Sequence, residues 1–172
     1  MRTLLLKRLV QGPLTEPAPP PDDAALAELA ARVDRAARRR LGRSLSIREV
    51  DAGSCNGCEL EIHALNNVVY DLERFGLRFV ASPRHADVLL VTGPVTRNMR
   101  QALERTYAAT PDPKWVVAVG DCARDGGLFA PSPACVGGVS QVVPVDVHIA
   151  GCPPTPHALL RGLLALLEDA CR

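Results

Sequence analysis

The stretch Asp87-Val88-Leu89-Leu90-Val91 is a nearly continuous apolar run that stops at the turn Gly93-Pro94. A strand with one wet face alternates apolar and polar residues, whereas a strand covered on both faces reads without interruption. Trp115-Val116-Val117-Ala118-Val119 has the same character, and Pro144-Val145-Asp146-Val147-His148-Ile149 supplies a third such strand. Upstream, Ser44 to Val50 alternates as a strand and Leu77 to Val80 reads as a short one. Helical spacing fills the intervals. Leu60, Ile62, Leu65, Val68, Val69 and Leu72 predict a helix from Cys58 to Leu72, and Val95 to Tyr107 reads as another. Leu159, Leu160, Leu163, Leu164 and Leu167 mark a closing helix over 154–170, with Pro154 and Pro156 in its first turn. Strands alternating with helices imply parallel pairing through right-handed crossovers. The expected fold is therefore α/β, an open parallel sheet with helices on both faces.

The first 43 residues have a different texture. Residues 1–10 read either as a short amphipathic segment touching a membrane surface or partner, or as a frayed terminus. The proline-rich tract Gly12 to Pro21 is an extended spacer. Asp22 and Asp23 suit a helix start, and Leu26, Leu29, Ala30, Val33, Ala37 and Leu41 predict an amphipathic helix over 24–41. Its basic half (Arg32, Arg35, Arg38, Arg39, Arg40) is either a solvated face or an arm for a partner subunit or anionic lipid. The organisation expected is an N-terminal arm, spacer and amphipathic helix over 1–43, followed by an α/β domain over 44–172.

A length of 172 residues suits one domain with an appendage. Aromatic residues are only 3%, so the core is built from Leu, Val, Ile and Ala. A formal net charge of +1 argues against a broad electrostatic footprint for nucleic acid. No run has the length of a membrane span, and the N-terminus has no signal-peptide pattern. The chain is expected in the cytoplasm with reduced thiols, where cysteines read as metal or redox groups sooner than as disulfides.

Cys55 and Cys58 stand at C-x-x-C spacing after the strand at 44–50. Cys122 follows the strand at 115–119, and Cys152 the strand at 144–149. In open parallel sheets the carboxyl ends of the strands share one edge, where ligands bind. Strand order alone thus brings Cys55, Cys58, Cys122 and Cys152 together. One C-x-x-C knuckle with two isolated cysteines suits a zinc ribbon less well than an iron–sulfur cluster, and Cys-Pro is familiar in cluster proteins. Both metals stay open at this level. Glycines at 53, 57, 120, 126, 127 and 151 let the backbone approach such a centre. Cys135 lies in a Gly/Pro-rich loop near Cys122 and is not counted as a ligand; nor is the terminal Cys171.

Among other polar residues, Glu59 and Glu61 begin a helix, where acids serve the helix dipole or act at the edge of the site. Arg84 and Arg97 read as interface or surface charges. His63 reads as a packed, hydrogen-bonded residue, and nothing marks His148 or His157 as a ligand. There is no phosphate-binding loop and no nucleophile–histidine–acid set, so no independent catalytic site is expected.

Several motifs occur together in order: Ser54-Cys55-Asn56-Gly57-Cys58-Glu59, Ser82-Pro83-Arg84-His85-Ala86-Asp87, Gly93-Pro94-Val95-Thr96-Arg97, Gly127-Leu128-Phe129, and Pro144 through Cys152 to Pro156. In this the chain, over roughly 44–168, resembles the small subunits of membrane-bound (group 4) [NiFe]-hydrogenases of the formate hydrogenlyase and hydrogenase-4 type. Those are homologous to the B-type (PSST, 20 kDa) subunit of respiratory complex I. The resemblance implies a flavodoxin-like fold and one [4Fe–4S] cluster bound by Cys55, Cys58, Cys122 and Cys152. It implies a large-subunit partner, other iron–sulfur and membrane subunits, and a peripheral place on the cytoplasmic face of the membrane. Electrons would pass to or from the large subunit's active site. The alternative branch passes them to quinone at the subunit interface, as in NADH:quinone oxidoreductase; a zinc-binding scaffold is the reading from another class. Complex I subunits carry adjacent cysteines at the first motif, so Cys55 with Gly57 is the hydrogenase arrangement. Ala150, where both branches commonly have proline, and the stretch 130–135 depart from the pattern.

Overall fold

A computed structural model describes residues 23–169 of the chain. The segment at 1–10, the proline-rich spacer, Asp22 and Cys171 lie outside the described residues. Helix α1 (Asp23–Leu41) leads into strand β1 (Ser46–Asp51) and helix α2 (Gly57–Ala64). Strands β2 (Arg78–Phe79), β3 (Val88–Thr92) and β4 (Val95–Thr96) follow, then helix α3 (Arg97–Ala109). Strand β5 (Trp115–Val119), helix α4 (Asp121–Asp125), strands β6 (Cys135–Gly137) and β7 (Val147–Ile149), and helix α5 (Pro156–Asp169) complete the order.

Five strands form one parallel sheet in the order β2-β1-β3-β5-β7. Numbered along the sheet alone this is 2-1-3-4-5, the flavodoxin-like order, as expected. The apolar run that announced the fold is buried along its whole length in β3. Its residues divide by the pleat: Val88 and Leu90 enter one core, Leu89 and Val91 the other. The first core also holds Ile47, Ile62, Val117, Leu160 and Leu163, and α1 adds Ala30, Val33 and Ala37 to it. Leu103 of α3 and Ala123 of α4 lie in the second. Helices α1, α2 and α5 thus cover one face and α3 and α4 the other.

Four local expectations need correction. The helix predicted from Cys58 to Leu72 ends at Ala64. Asn67 is the cause: its Oδ1 accepts the backbone N–H groups of Val69 (2.9 Å) and Tyr70 (3.0 Å), capturing donors that a continuing helix would use. Val68 and Val69 are consequently exposed, and so is Leu60 within α2. The helix expected from Val95 begins at Arg97, because Val95 and Thr96 pair antiparallel with Gly137 and Cys135 of β6. Thr96 then caps α3 by accepting the Met99 N–H on its side chain. The strand expected over 144–149 is confined to Val147–Ile149, and Pro154 precedes α5.

Candidate metal centre

Strand β1 ends in a tight turn in which Asp51 Oδ1 accepts the N–H groups of Gly53 (2.7 Å) and Ser54 (2.8 Å). Asn56 then takes a left-handed conformation (φ 72°) and starts α2, which carries Cys58 in its first turn. Ser54 Oγ accepts the Asn56 N–H at 3.0 Å and donates to the Glu59 carboxylate. Glu59 is 7% exposed and its second oxygen, Oε1, has no partner among the described residues. Glu59, in the first turn of α2, is thus also a buried brace for the loop carrying Cys55.

Strand β5 runs through Gly120 into α4, where Cys122 is the second residue. Strand β7 runs through Ala150 and Gly151 to Cys152. Cys55, Cys58, Cys122 and Cys152 line one cavity of about 100 Å³, whose wall includes Gly57, Gly93, Gly151 and Asp121. Cys55 and Cys152 are exposed, Cys58 and Cys122 half-buried. Among the described residues, no three Cys, His, Asp or Glu side chains are grouped closely enough to hold a single metal ion. The thiols ring a space.

That space depends on missing side chains. A Cβ on Gly120 would stand 2.7 Å from Cys58 Sγ, and one on Gly127 would stand 2.8 Å from Cys122 Sγ. Both glycines have positive φ (86° and 50°), which also disfavours any other residue there. Electrostatically the ring is crowded with acids. Burial, and after it Glu59 and the other three cysteines, pushes the Cys58 thiol up to about 12. The Cys122 thiol is raised by burial and then by Cys152 and Cys55, opposed by a backbone N–H from Leu128. Thiols that repel one another's charge in this way are suited to a cationic metal centre, which removes the repulsion and takes the thiolates as ligands.

Cys135 lies on β6, paired with Thr96 of β4, and does not line the cavity. Arg84 and Arg97 are exposed. His63 is 73% exposed, with Nε2 3.9 Å from Glu49 Oε2, so it is not the packed residue expected. His148 Nε2 lies 3.1 Å from the Gly120 carbonyl oxygen. Sequence reasoning did not single out Asp51, Ser54 or Asp121, although Asp121 directly precedes Cys122. A second cavity, of about 240 Å³ beside α2, is lined by Arg48, Glu49, His63, Asn66 and Phe79 among others. A third, of about 450 Å³ between α1 and α5, is lined mainly by Arg32, Arg35, Arg39 and Arg40.

Comparison with known proteins matches residues 55–166 to the family described as "NADH ubiquinone oxidoreductase, 20 Kd subunit". The "Probable membrane-bound hydrogenase subunit mbhJ" of Pyrococcus furiosus is 48% identical over 132 residues, covering 77% of this chain and 79% of that protein. Formate hydrogenlyase subunit 7 of Escherichia coli is 48% identical over 134 residues, or 76% of this chain and 52% of the longer relative. Among solved structures, a chain of the membrane-bound sulfane sulfur reductase, an archaeal respiratory membrane complex, superposes with a TM-score of 0.66. It is 37% identical, over 80% of this chain and 74% of that one.

Proposed function

This chain belongs to the family of the NADH ubiquinone oxidoreductase 20 Kd subunit, and we propose that it is the electron-carrying subunit of a membrane-associated, hydrogenase-like oxidoreductase. The observation that carries this reading is the cavity into which Cys55, Cys58, Cys122 and Cys152 converge. These four residues would hold one [4Fe–4S] cluster, which when bound supplies one-electron redox chemistry. A structural zinc ion needs four donors about 2.3 Å from one centre, and a ring of thiols around a cavity suits a cluster better. Gly120 and Gly127 keep the ring open, and the Ser54–Glu59 bond braces the loop of Cys55.

The electron's other station lies in a partner. Leu128 (86% exposed) and Phe129 (41%) follow Cys122 closely, and Leu60 (64%) follows Cys58. Exposed large apolar side chains that follow two of the four cysteines in sequence suit a docking surface for a large subunit, which would exclude water from the electron path. No described helix is long and apolar enough to cross a membrane, in keeping with a peripheral subunit held by membrane partners. We place it on the cytoplasmic face.

Two relatives are hydrogenase or formate hydrogenlyase subunits and a third sits in a sulfane sulfur reductase, so the partner's chemistry defines the enzyme. Cys55 with Gly57 favours the hydrogenase branch. Anaerobic reconstitution tests the central claim. Brown protein with the iron and sulfide of one cluster, and an EPR signal on reduction, is the expected result; a colourless chain carrying zinc overturns it. Leu128→Asp should leave that signal intact while weakening co-purification of the large subunit.

A further inference from the structure

Strands β5 and β7 pair through Val117, Ala118 and Val119 against Val147, His148 and Ile149. Their hydrogen bonding does not stop where the strands end. The Gly120 N–H donates to the Ile149 carbonyl at 2.8 Å, and the Asp121 N–H donates to the Gly151 carbonyl at 2.9 Å. The Gly151 N–H then donates back to Asp121 Oδ1 at 3.1 Å. Asp121 and Gly151 are thus joined in a closed pair of bonds, and each directly precedes a cysteine of the ring, Cys122 and Cys152.

From this geometry we propose that Asp121 is a positioning and potential-setting residue for the metal centre. The inference rests on the cluster reading above. One carboxylate oxygen fixes the separation of Cys122 and Cys152 by holding the Gly151 backbone. Gly151 has φ 138°, and a Cβ there would stand 2.6 Å from Pro154 Cα, so its backbone has no other residue's route to the same place. Asp121 is also a wall residue of the cysteine cavity. A fixed negative charge there opposes the addition of an electron and sets the reduction potential lower than a neutral residue would. Holding the loops needs only an oxygen acceptor, while setting the potential needs the charge, so the two roles separate by substitution.

Asp121→Asn and Asp121→Ser keep an oxygen for the Gly151 N–H and remove the charge. Asp121→Ala removes both. With the reconstituted chain in an EPR-monitored redox titration, the Asn and Ser variants should load iron and sulfide as the wild type does and titrate at a more positive potential. The Ala variant should load less. The proposal falls if Asp121→Asn titrates with the wild type, if Asp121→Ala loads as fully as Asp121→Asn, or if neither Asn nor Ser takes up the cluster. A wild-type chain that takes up no cluster counts against the cofactor reading instead. The positioning role is then read in the metal-free chain, as hydrogen-exchange protection of the Gly151 amide that survives Asp121→Asn and is lost in Asp121→Ala; protection that survives in both overturns it.

Discussion

Gly120 lies against Cys58: a methyl group on its Cα would stand 2.7 Å from the sulfur, closer than side-chain carbons approach one another in folded proteins. Gly42 offers a control, because it too has positive φ (68°) but faces open space. Gly42→Ala should carry a backbone cost of about 1 kcal/mol, read as a lowered urea midpoint, and Gly120→Ala a larger one, because its φ of 86° and ψ of 162° lie in a region essentially confined to glycine. Only Gly120→Ala should also displace the Cys58 thiol and depress iron uptake severalfold. Equal iron contents in the two variants would remove Gly120 from the site.

The cysteines separate by location. Cys122→Ser should abolish the cluster signal, since it removes a donor from the ring, whereas Cys135→Ser should retain it because Cys135 lies on β6 outside the cavity. Iron analysis and EPR on the two purified variants decide. Equal loss in both would mean that the ligand set is wrong.

Arg43 clamps Asp87 with two bonds (2.9 and 2.5 Å), and Asp87 Oδ2 also accepts the buried Ser46 N–H at 2.9 Å. Asp87 is 3% exposed and ties the start of β1 to the start of β3. Asp87→Ala strands the Ser46 donor, and Arg43→Ala leaves a buried carboxylate without its counter-charge; each should cost about 2–3 kcal/mol. The double variant should cost about 1 kcal/mol or more below the sum of the two, the sign of direct coupling. Additive losses in denaturant unfolding would show that the clamp contributes nothing of its own.

Burial raises the carboxyl of Glu49 above its ordinary 4.5, an effect that nearby His63 partly offsets. A carboxyl raised by folding stabilises the native state fully below its unfolded value. That stability is lost as pH rises through the folded value. Glu49→Gln should therefore raise the urea midpoint of the metal-free chain at about pH 7 and change it little well below 4.5, by amounts on the order of a few tenths of a kcal/mol because the group is partly solvated. A variant less stable than wild type at neutral pH would show that Glu49 is paired rather than penalised.

Much of this architecture was legible before folding. Val88 to Val91 and Trp115 to Val119 are apolar without alternation because helices cover both sides of β3 and β5, and that condition writes itself directly into sequence. The parallel order follows from the helices between strands, and the shared edge of the cysteines follows from the parallel order. Helix lengths were less legible. Val68 and Val69 keep helical spacing yet lie exposed, because the Asn67 side chain captures two backbone donors, a local competition that periodicity does not register.

By itself, then, the sequence determined the doubly covered parallel sheet and the set of loops on which four cysteines meet, since both depend on the order and periodicity of residues along one chain. Tertiary structure alone decided which polar groups serve that meeting. It buried Glu59 beneath Ser54, set Gly120 against Cys58, left Cys135 outside the ring, and closed Asp121 onto Gly151 across thirty positions of sequence. The physical reason is range: hydrogen bonds and steric contacts act over a few ångströms, and only the finished fold says which distant residues stand that close.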